Sequence, residues 1–317
     1  MFGYILRRVA YAVPIAIGVS IIVFSLVHLS PGDPINAVIA GDAPAEVAQR
    51  LKEAYGFDKP LPVQYGKWLL RAIGGDLGVS VATGRAVAGE IISAAINTIL
   101  LAFCAGLLGF SIGAVLGGIA GYNQGSWIDK LATTMAITGV SVPHYWLGMV
   151  LVIIFAVELN MLPAMGMGPG GSRDWAWDAA HMRHLVLPMV TLSVIPMGIV
   201  TRTIRATVAE VLSNEFVQAL RAKGLMERQV LQHIVKNAGP TCLAVMGLQF
   251  GYLLGGSILV ETVFSWPGTG FLLNDAIFRR DIPVLQGVIL ILAMFFVLLN
   301  LLVDIAQTAI DPRMRRA

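Results

Sequence analysis

Six long apolar runs divide the chain, and they decide what kind of fold it can adopt. They are approximately Val9–Leu29, Asn97–Gly121, Leu131–Val157, Leu185–Thr201, Asn237–Val260 and Ile282–Val303. A helix rises about 1.5 Å per residue and the hydrocarbon core of a bilayer is about 30 Å thick, so about 20 apolar residues make one span. The runs therefore predict an all-α membrane protein with six transmembrane helices. The fourth run is short, and we expect its helix to continue towards Arg202 and Arg205.

The composition agrees with a membrane protein. Of 317 residues, 56% are hydrophobic and 13% are charged, about half the charge of a soluble domain. A net charge of only +3 argues against a nucleic-acid-binding protein. Cys104 and Cys242 lie inside apolar runs, so they predict no disulfide framework. The first run is too long for a signal-peptide core and is followed by LSPGDP instead of a cleavage site, so we expect a retained span.

Basic residues predict the orientation of the six spans. Twelve of the 22 Lys and Arg residues fall at the termini and in the connections on their side, and four fall in short connections on the other side. The remaining six lie in a long loop, which contributes little to orientation. We therefore expect both termini in the cytoplasm.

The predicted divisions are residues 1–29 (first span), an external segment 30–95, and a five-helix core 96–317 with a cytoplasmic loop 202–240. Short helices are expected at Val47–Tyr55, Val63–Ile73 and Phe271–Phe278.

The cytoplasmic stretch from Asn214 to Pro240 reads as two short helices joined by a glycine. Asn214 is a candidate N-cap, Gly224 occupies the position of a left-handed C′ residue, and Pro240 is expected to end the second helix. The first helix carries an apolar edge formed by Phe216, Val217 and Leu220. Such a helix can lie on a membrane surface or dock in the groove of a partner.

Two spans carry glycines at intervals of four residues. The second span has Gly109, Gly113, Gly117 and Gly121, and the fifth has Gly247, Gly251 and Gly255. Glycines at this spacing form a flat strip that allows another helix backbone to approach closely. The strips predict either helices that pack tightly and shift slightly during function, or static packing alone.

Two ionisable residues are candidates for lining a path through the membrane. His144 follows Pro143, which should break the third helix, and Glu261 lies near the end of the fifth run. For His144 the alternative is a hydrogen-bonded histidine inside the helix bundle, and for Glu261 it is a plain helix terminus.

The external loop between the third and fourth runs contains two patterns that we interpret without assigning chemistry. GMGPGG matches G-x-G-x-x-G, but it follows a membrane span and opens no helix after a strand, so a dinucleotide site is rejected. Asp174, Asp178, His181 and His184 are possible metal ligands, but loosely spaced carboxylates and two histidines are more typical of a solvated loop, and no metal site is predicted. The chain also lacks G-x-x-x-x-G-K-[ST], H-E-x-x-H and G-x-S-x-G. We therefore predict a membrane pathway that receives energy through its cytoplasmic stretch.

QALRAKGLMERQVLQHI resembles the EAA-type coupling loop of ABC importer permeases, with Ala219, Gly224 and Ile234 in register. Gln218 stands where that motif has Glu, Leu220 stands where it has the second Ala, and the final Leu-Pro is absent. EFVQALRAKGL is similar to the form in the dipeptide, oligopeptide and nickel permease family. Other stretches resemble the same family over nearly the whole chain: LSPGDP, FDKPLPVQY, GDLGVS, VSVPHYWLG, ETVFSWPGTG, RRDIPVLQGV, NLLVD and DPRMRR.

The resemblance implies a type I ABC importer permease fold and one of two pore subunits in a bacterial inner membrane. The implied partners are a second permease, two ATPase subunits and an extracytoplasmic solute-binding protein. The resemblance also implies that the chain itself is not an enzyme. It implies no cofactor in this chain, because ATP and Mg are bound by partner subunits. Peptides are the expected solute, with nickel or a nickel chelate as the alternative. An ion-coupled carrier and a structural scaffold are the other classes considered. The residues implied in coupling to the ATPases are Glu215, Gln218, Ala219, Leu220, Arg221, Ala222, Lys223, Gly224 and Leu225.

Overall fold

A computed structural model describes residues 2–29 and 59–310, apart from the side chains of residues 2–6, 8, 9, 26–29, 304 and 306–310. These residues form ten α-helices and no strand beyond one isolated bridge between Val79 and Ala86. The helices are α1 (Phe2–Leu29), α2 (Leu61–Ile73), α3 (Val87–Tyr122), α4 (Trp127–Ser141), α5 (His144–Leu151), α6 (Ala179–Ser213), α7 (Glu215–Ala222), α8 (Glu227–Val263), α9 (Thr269–Arg279) and α10 (Ile282–Ile310). The prediction of an all-α protein is confirmed.

Four helices are long and apolar enough to cross a membrane: α3, α6, α8 and, over Ile282–Val303, α10. The pair α4 and α5 would make a fifth span, and α1 is apolar over the shorter stretch Ala10–Ser25. The count of six spans and the external placement of 30–95 stay predictions. The short helices expected at Val63–Ile73 and Phe271–Phe278 are confirmed as α2 and α9.

The third apolar run is broken where Pro143 was expected to break it. Val142 has the extended conformation (φ −81°, ψ 125°) that a residue before proline prefers, and Pro143 caps α5. The two helices meet at a bend of 96°, because proline has no N–H with which to continue the helical ladder. A π-helix, Val152–Glu158, follows α5.

The fourth and fifth runs both belong to helices longer than the runs themselves. Helix α6 begins after the N-cap Asp178 and continues beyond Arg202 and Arg205, as predicted. The expectation that Pro240 ends a short helix is wrong, because α8 runs without interruption from Glu227 to Val263. A proline inside a helix removes one backbone hydrogen bond, but long membrane helices tolerate this where neighbouring groups satisfy the freed carbonyl.

The chain forms two compact units. Of the described residues, the first contains Ile99–Ser265 and 299–310, and the second contains 2–29, 59–98 and Trp266–Leu298. In the second unit, α1 contacts α2 through the rings of Phe24, Tyr65 and Trp68. The core of this unit is an apolar cluster of Val87, Ile91, Ala276, Val284 and Val288.

Buried polar contacts complete the second unit. Trp266 Nε1 donates to the Asn97 carbonyl at 3.0 Å, and Asn97 Nδ2 donates to the Pro267 carbonyl at 3.0 Å. Ser80 Oγ donates to the buried carboxylate of Asp281. These bonds join segments far apart in the sequence, and they lie in the WPG and GDLGVS stretches that carried the family resemblance.

Some predicted features lie outside the described residues. They are the LSPGDP stretch after Leu29, the helix at Val47–Tyr55 and the DPRMRR terminus.

Candidate functional site

The candidate coupling region is the 214–226 segment, which joins α6 to α8 and contains α7. Asn214 stands at the predicted N-cap position, but its side chain accepts no capping hydrogen bond. Gly224 has φ 77°, the left-handed conformation predicted for it, and its N–H donates to the Arg221 carbonyl at 2.9 Å. Leu225 N donates to the Leu220 carbonyl at 3.3 Å, so α7 ends at a glycine-based cap.

One edge of α7 is anchored in an apolar core. Val217 is fully buried and belongs to a cluster with Val208, Val211, Val230 and Ile234, which come from α6 and α8. Leu220 and Leu225 pack against the same cluster. Burying one valine side chain contributes about 1.5–3 kcal/mol, and Val217 is the fully buried anchor of this short helix.

The opposite edge of α7 is exposed. Of the nine residues that the resemblance implicated in coupling, Leu220 and Leu225 face the core, and the other seven are exposed: Glu215, Gln218, Ala219, Arg221, Ala222, Lys223 and Gly224. Met226, with 74% of its surface exposed, extends this face. Seven of the nine residues are therefore accessible to a partner, and two anchor the segment.

The 214–226 segment is joined to α8, and α8 to α3, by polar contacts that sequence reasoning missed. Arg221 Nε donates to Glu227 Oε1 at 2.9 Å, and Tyr122 Oη donates to Glu227 Oε2 at 2.8 Å. The Glu227 carboxylate raises the pKa of Arg221, and the guanidinium stays charged. The Arg221–Glu227 spacing was visible in the sequence, but nothing in it indicated Tyr122.

A second missed contact lies near the start of α4. Arg205 donates to both carboxylate oxygens of the buried Asp129, at 2.9 and 2.7 Å. Asp129 also accepts from the Gly125 N–H at 2.9 Å, while its own N–H donates to the Ser126 hydroxyl. The ion pair therefore fastens the turn between α3 and α4 to α6.

The glycine strip of α3 lies directly against the backbone of α6. A Cβ added to Gly109, Gly113, Gly117 or Gly121 would lie 2.5–2.8 Å from a carbonyl oxygen of α6. The carbonyls belong to Ser193, Met197, Thr201 and Arg205, in steps of four that match the glycines. Only glycine allows the two backbones to approach this closely.

The glycines of α8 have a different environment. A Cβ on Gly247 would lie 2.5 Å from Val303 of α10, whereas a Cβ on Gly255 would have nothing within 4 Å. Gly251 is buried. These three residues do not share one continuous helix contact as the four of α3 do.

The two candidate pathway residues occupy different positions. His144 opens α5 beside the 96° bend and is half-buried, and its Nε2 is buried and makes no hydrogen bond to the described residues. Glu261 is fully buried, close to the end of α8. Both stay candidates for lining the path.

The four possible metal ligands, which lie just before α6 and in its first turns, do not converge. The backbone N–H of His181 donates to Asp178 Oδ1 at 2.8 Å. The backbone and side-chain hydrogen bonds of His181 lower the pKa of the Asp178 carboxyl. His184 Nδ1 lies 3.1 Å from the Met165 carbonyl. Across residues 2–29 and 59–310, no three His, Cys, Asp or Glu side chains group as metal ligands.

Comparisons with known proteins cover almost the whole chain. The family model "Binding-protein-dependent transport system inner membrane component" matches residues 109–316, and the model of its N-terminal part matches residues 1–99. The chain is 38% identical to the dipeptide transport system permease protein DppB of Alkalihalophilus pseudofirmus, over 99% of this chain and 100% of that one. It is also 38% identical to the glutathione transport system permease protein GsiC of Escherichia coli strain K12, over 99% of each chain.

Two solved structures share the fold. The MetNI methionine ABC transporter in inward-facing conformations matches with a TM-score of 0.57 at 17% identity, over 70% of this chain and 96% of that one. An amino acid ABC transporter with histidines matches with a TM-score of 0.53 at 16% identity, over 70% of this chain and 94% of that one. These confirm the permease fold that the resemblance implied. The chain belongs to the family of inner membrane components of binding-protein-dependent transport systems.

Proposed function

We propose that this chain is a pore subunit of an ATP-driven importer of di- or oligopeptides. The observation that carries the proposal is the 38% identity, over nearly the full length of both chains, to a dipeptide permease and to a glutathione permease. Glutathione is itself a small peptide, so the two relatives name one class of solute. Family membership implies association with ATP-binding and substrate-binding components.

The alternative solute, nickel or a nickel chelate, has less support. Its only local indication was the presence of His181 and His184 in one loop. Both histidines lie in the first turns of α6, where His181 is engaged by the N-cap Asp178 and His184 lies within hydrogen-bond distance of the Met165 carbonyl.

The 214–226 segment is the proposed docking site for an ATPase subunit. Its inner edge is held by Val217. On the exposed side, the small side chains of Ala219 and Ala222 allow another protein surface to approach closely. We propose that the chain forms a heterodimer with a second, related permease and associates with two ATPase subunits that bind ATP and Mg. We also propose that both termini of the chain lie in the cytoplasm. The pore subunit would then alternate access to the two sides of the inner membrane as ATP is hydrolysed.

Affinity purification of the tagged chain in detergent tests the assignment. We expect two ATPase subunits and a second permease to copurify, whereas an ion-coupled carrier or a structural scaffold would be isolated without them. Calorimetric titration of the cognate solute-binding protein with alanyl-alanine, glutathione and Ni²⁺ tests the solute. Tight nickel binding without peptide binding would overturn the choice of peptides.

A pair of variants tests the docking face. Ala219→Trp should block docking by overpacking, at a cost of about 1–3 kcal/mol, and should abolish stimulation of ATP hydrolysis by the loaded binding protein. Gln218→Glu, on the same exposed face, should be tolerated, because it introduces the residue found in the general motif. Full stimulation of a normally assembled Ala219→Trp complex would show that α7 is not the coupling element.

A further inference from the structure

Three helices converge on one carboxylate beside the 214–226 segment. Glu227 is the first residue of α8, Arg221 lies in the last turn of α7, and Tyr122 is the last residue of α3. Glu227 Oε1 accepts from Arg221 Nε at 2.9 Å, and Oε2 accepts from Arg221 Nη2 at 3.2 Å and from Tyr122 Oη at 2.8 Å. We refer to these three residues as the Glu227 cluster.

The cluster spans the joint between α7 and α8. Gly224 lies between Arg221 and Glu227 with φ 77°, and a Cβ placed on it would have nothing within 4 Å. Side-chain packing at the glycine therefore does not set the angle between the two helices. A bidentate guanidinium–carboxylate pair has a planar, directional geometry, so it can hold α7 in one rotation about the anchor at Val217.

Tyr122 extends the connection to the turn between α3 and α4. Three residues later, the Gly125 N–H donates to Asp129, which is paired with Arg205 of α6. This turn is thus fastened at one end to α8 and at the other to α6, the two helices that flank the 214–226 segment. The Glu227 carboxylate contacts α7 and the end of α3 at once, so a movement of α7 that carries this side chain with it also changes the Tyr122 contact.

We propose that the Glu227 cluster positions α7 and transmits its movement to the end of α3, so that Tyr122, Arg221 and Glu227 are positioning residues for coupling. The inference rests on the proposed function, because it requires α7 to contact an ATPase subunit. The cluster is exposed, and exposed ion pairs contribute little to folding stability. Its loss should therefore change coupling without changing assembly.

The test uses the complete complex in liposomes, with its solute-binding protein and radiolabelled alanyl-alanine. The readout is dipeptide transported per ATP hydrolysed. Glu227→Gln, Arg221→Gln and Tyr122→Phe should each lower this ratio by about fivefold or more, the size of a small coupling free energy. Asp275→Asn, which removes the exposed Asp275–Arg279 pair of α9, is the matched control and should keep the wild-type ratio.

Two double variants separate a shared role from three independent ones. Tyr122→Phe added to Glu227→Ala should cause no further loss beyond that of Glu227→Ala alone, because the acceptor of the Tyr122 hydroxyl is already absent, whereas independent residues would give multiplicative losses. Exchange of the charges, Arg221→Glu with Glu227→Arg, should recover part of the ratio that either single change loses. Independent contributions of the two residues would not produce this recovery.

Three results would overturn the inference. They are a wild-type ratio for Glu227→Gln in a fully assembled complex, multiplicative losses in the double variant, and no recovery on charge exchange. If Ala219→Trp abolishes stimulation while Glu227→Gln has no effect, the cluster is refuted and the proposed function stands. If no ATPase subunit copurifies with the chain, the proposed function fails, and the inference fails with it.

Discussion

Replacing Gly117 by alanine should separate α3 from α6. A Cβ at this position would lie 2.5 Å from the Thr201 carbonyl oxygen, 3.0 Å from Ile204 Cβ and 3.1 Å from Thr201 Cα, whereas ordinary contacts begin at 3.4 Å. The shortfall is about 0.9 Å, and two of the three atoms belong to helical backbone that cannot rotate away. Sliding the helices offers no relief, because Gly113 and Gly121 meet α6 carbonyls equally closely.

The expected loss of stability follows from this shortfall. Inserting one methyl group into a closely packed interface typically costs about 1–3 kcal/mol. At 25 °C this corresponds to a decrease of about 5- to 150-fold in the ratio of folded to unfolded protein. Gly117→Val should cost more, because its γ-methyl groups must also be accommodated next to Ile204.

Gly118→Ala is the matched control, since it makes the same substitution one residue along the same helix. A Cβ there has nothing within 4 Å, so this variant should be as stable as the wild type or slightly more stable. The measurement is the midpoint of thermal unfolding of the detergent-purified complex, followed by size-exclusion chromatography. Equal midpoints for Gly117→Ala and Gly118→Ala would refute the argument from close backbone approach.

Three further outcomes are expected. Gly224→Ala should cost about 1–2 kcal/mol, because φ 77° is unfavourable for an L-residue, and should lower binding-protein-stimulated ATP hydrolysis; unchanged stimulation would contradict a role for this joint. A cysteine at Ser172 should react with an impermeant maleimide from outside and one at Met226 only from the cytoplasm; the reverse pattern would invalidate the six-span topology. The pKa of Asp178 is lowered in the folded protein, so its carboxylate contributes stability that is present above about pH 4 and is lost as pH falls through the folded-state pKa. Asp178→Asn should therefore reduce the dependence of the thermal midpoint on pH between about 5 and 3. An unchanged dependence would count against the Asp178–His181 contact.

Much of the helical organisation could be predicted from local pattern. Each long apolar run lies within a long helix or, for the third run, a bent pair, because a helix satisfies its own backbone hydrogen bonds within the segment. The helix break at Pro143 and the left-handed conformation of Gly224 were also predictable from local sequence. The missing N–H of proline and the tolerance of glycine for positive φ are properties of single residues. The family resemblance likewise depended on short ordered motifs that are read directly from the sequence.

Pro240 marks the limit of local rules. The same chemistry that ends α4 before Pro143 does not end α8 at Pro240. The loss of one hydrogen bond is a local cost, but whether the helix continues depends on the tertiary surroundings of the freed carbonyl.

Local sequence patterns were sufficient to predict the membrane class, most of the helices and the residues proposed for coupling, because hydrophobic length, glycine and proline act within a few residues of their own position. Three contacts became visible only in the folded protein: the glycines of α3 lie against α6, Asp129 pairs with Arg205, and Tyr122 shares the carboxylate of Glu227 with Arg221. These contacts join residues tens of positions or more apart. Their formation depends on which helices become neighbours and in what rotation, and the packing of the whole bundle sets both.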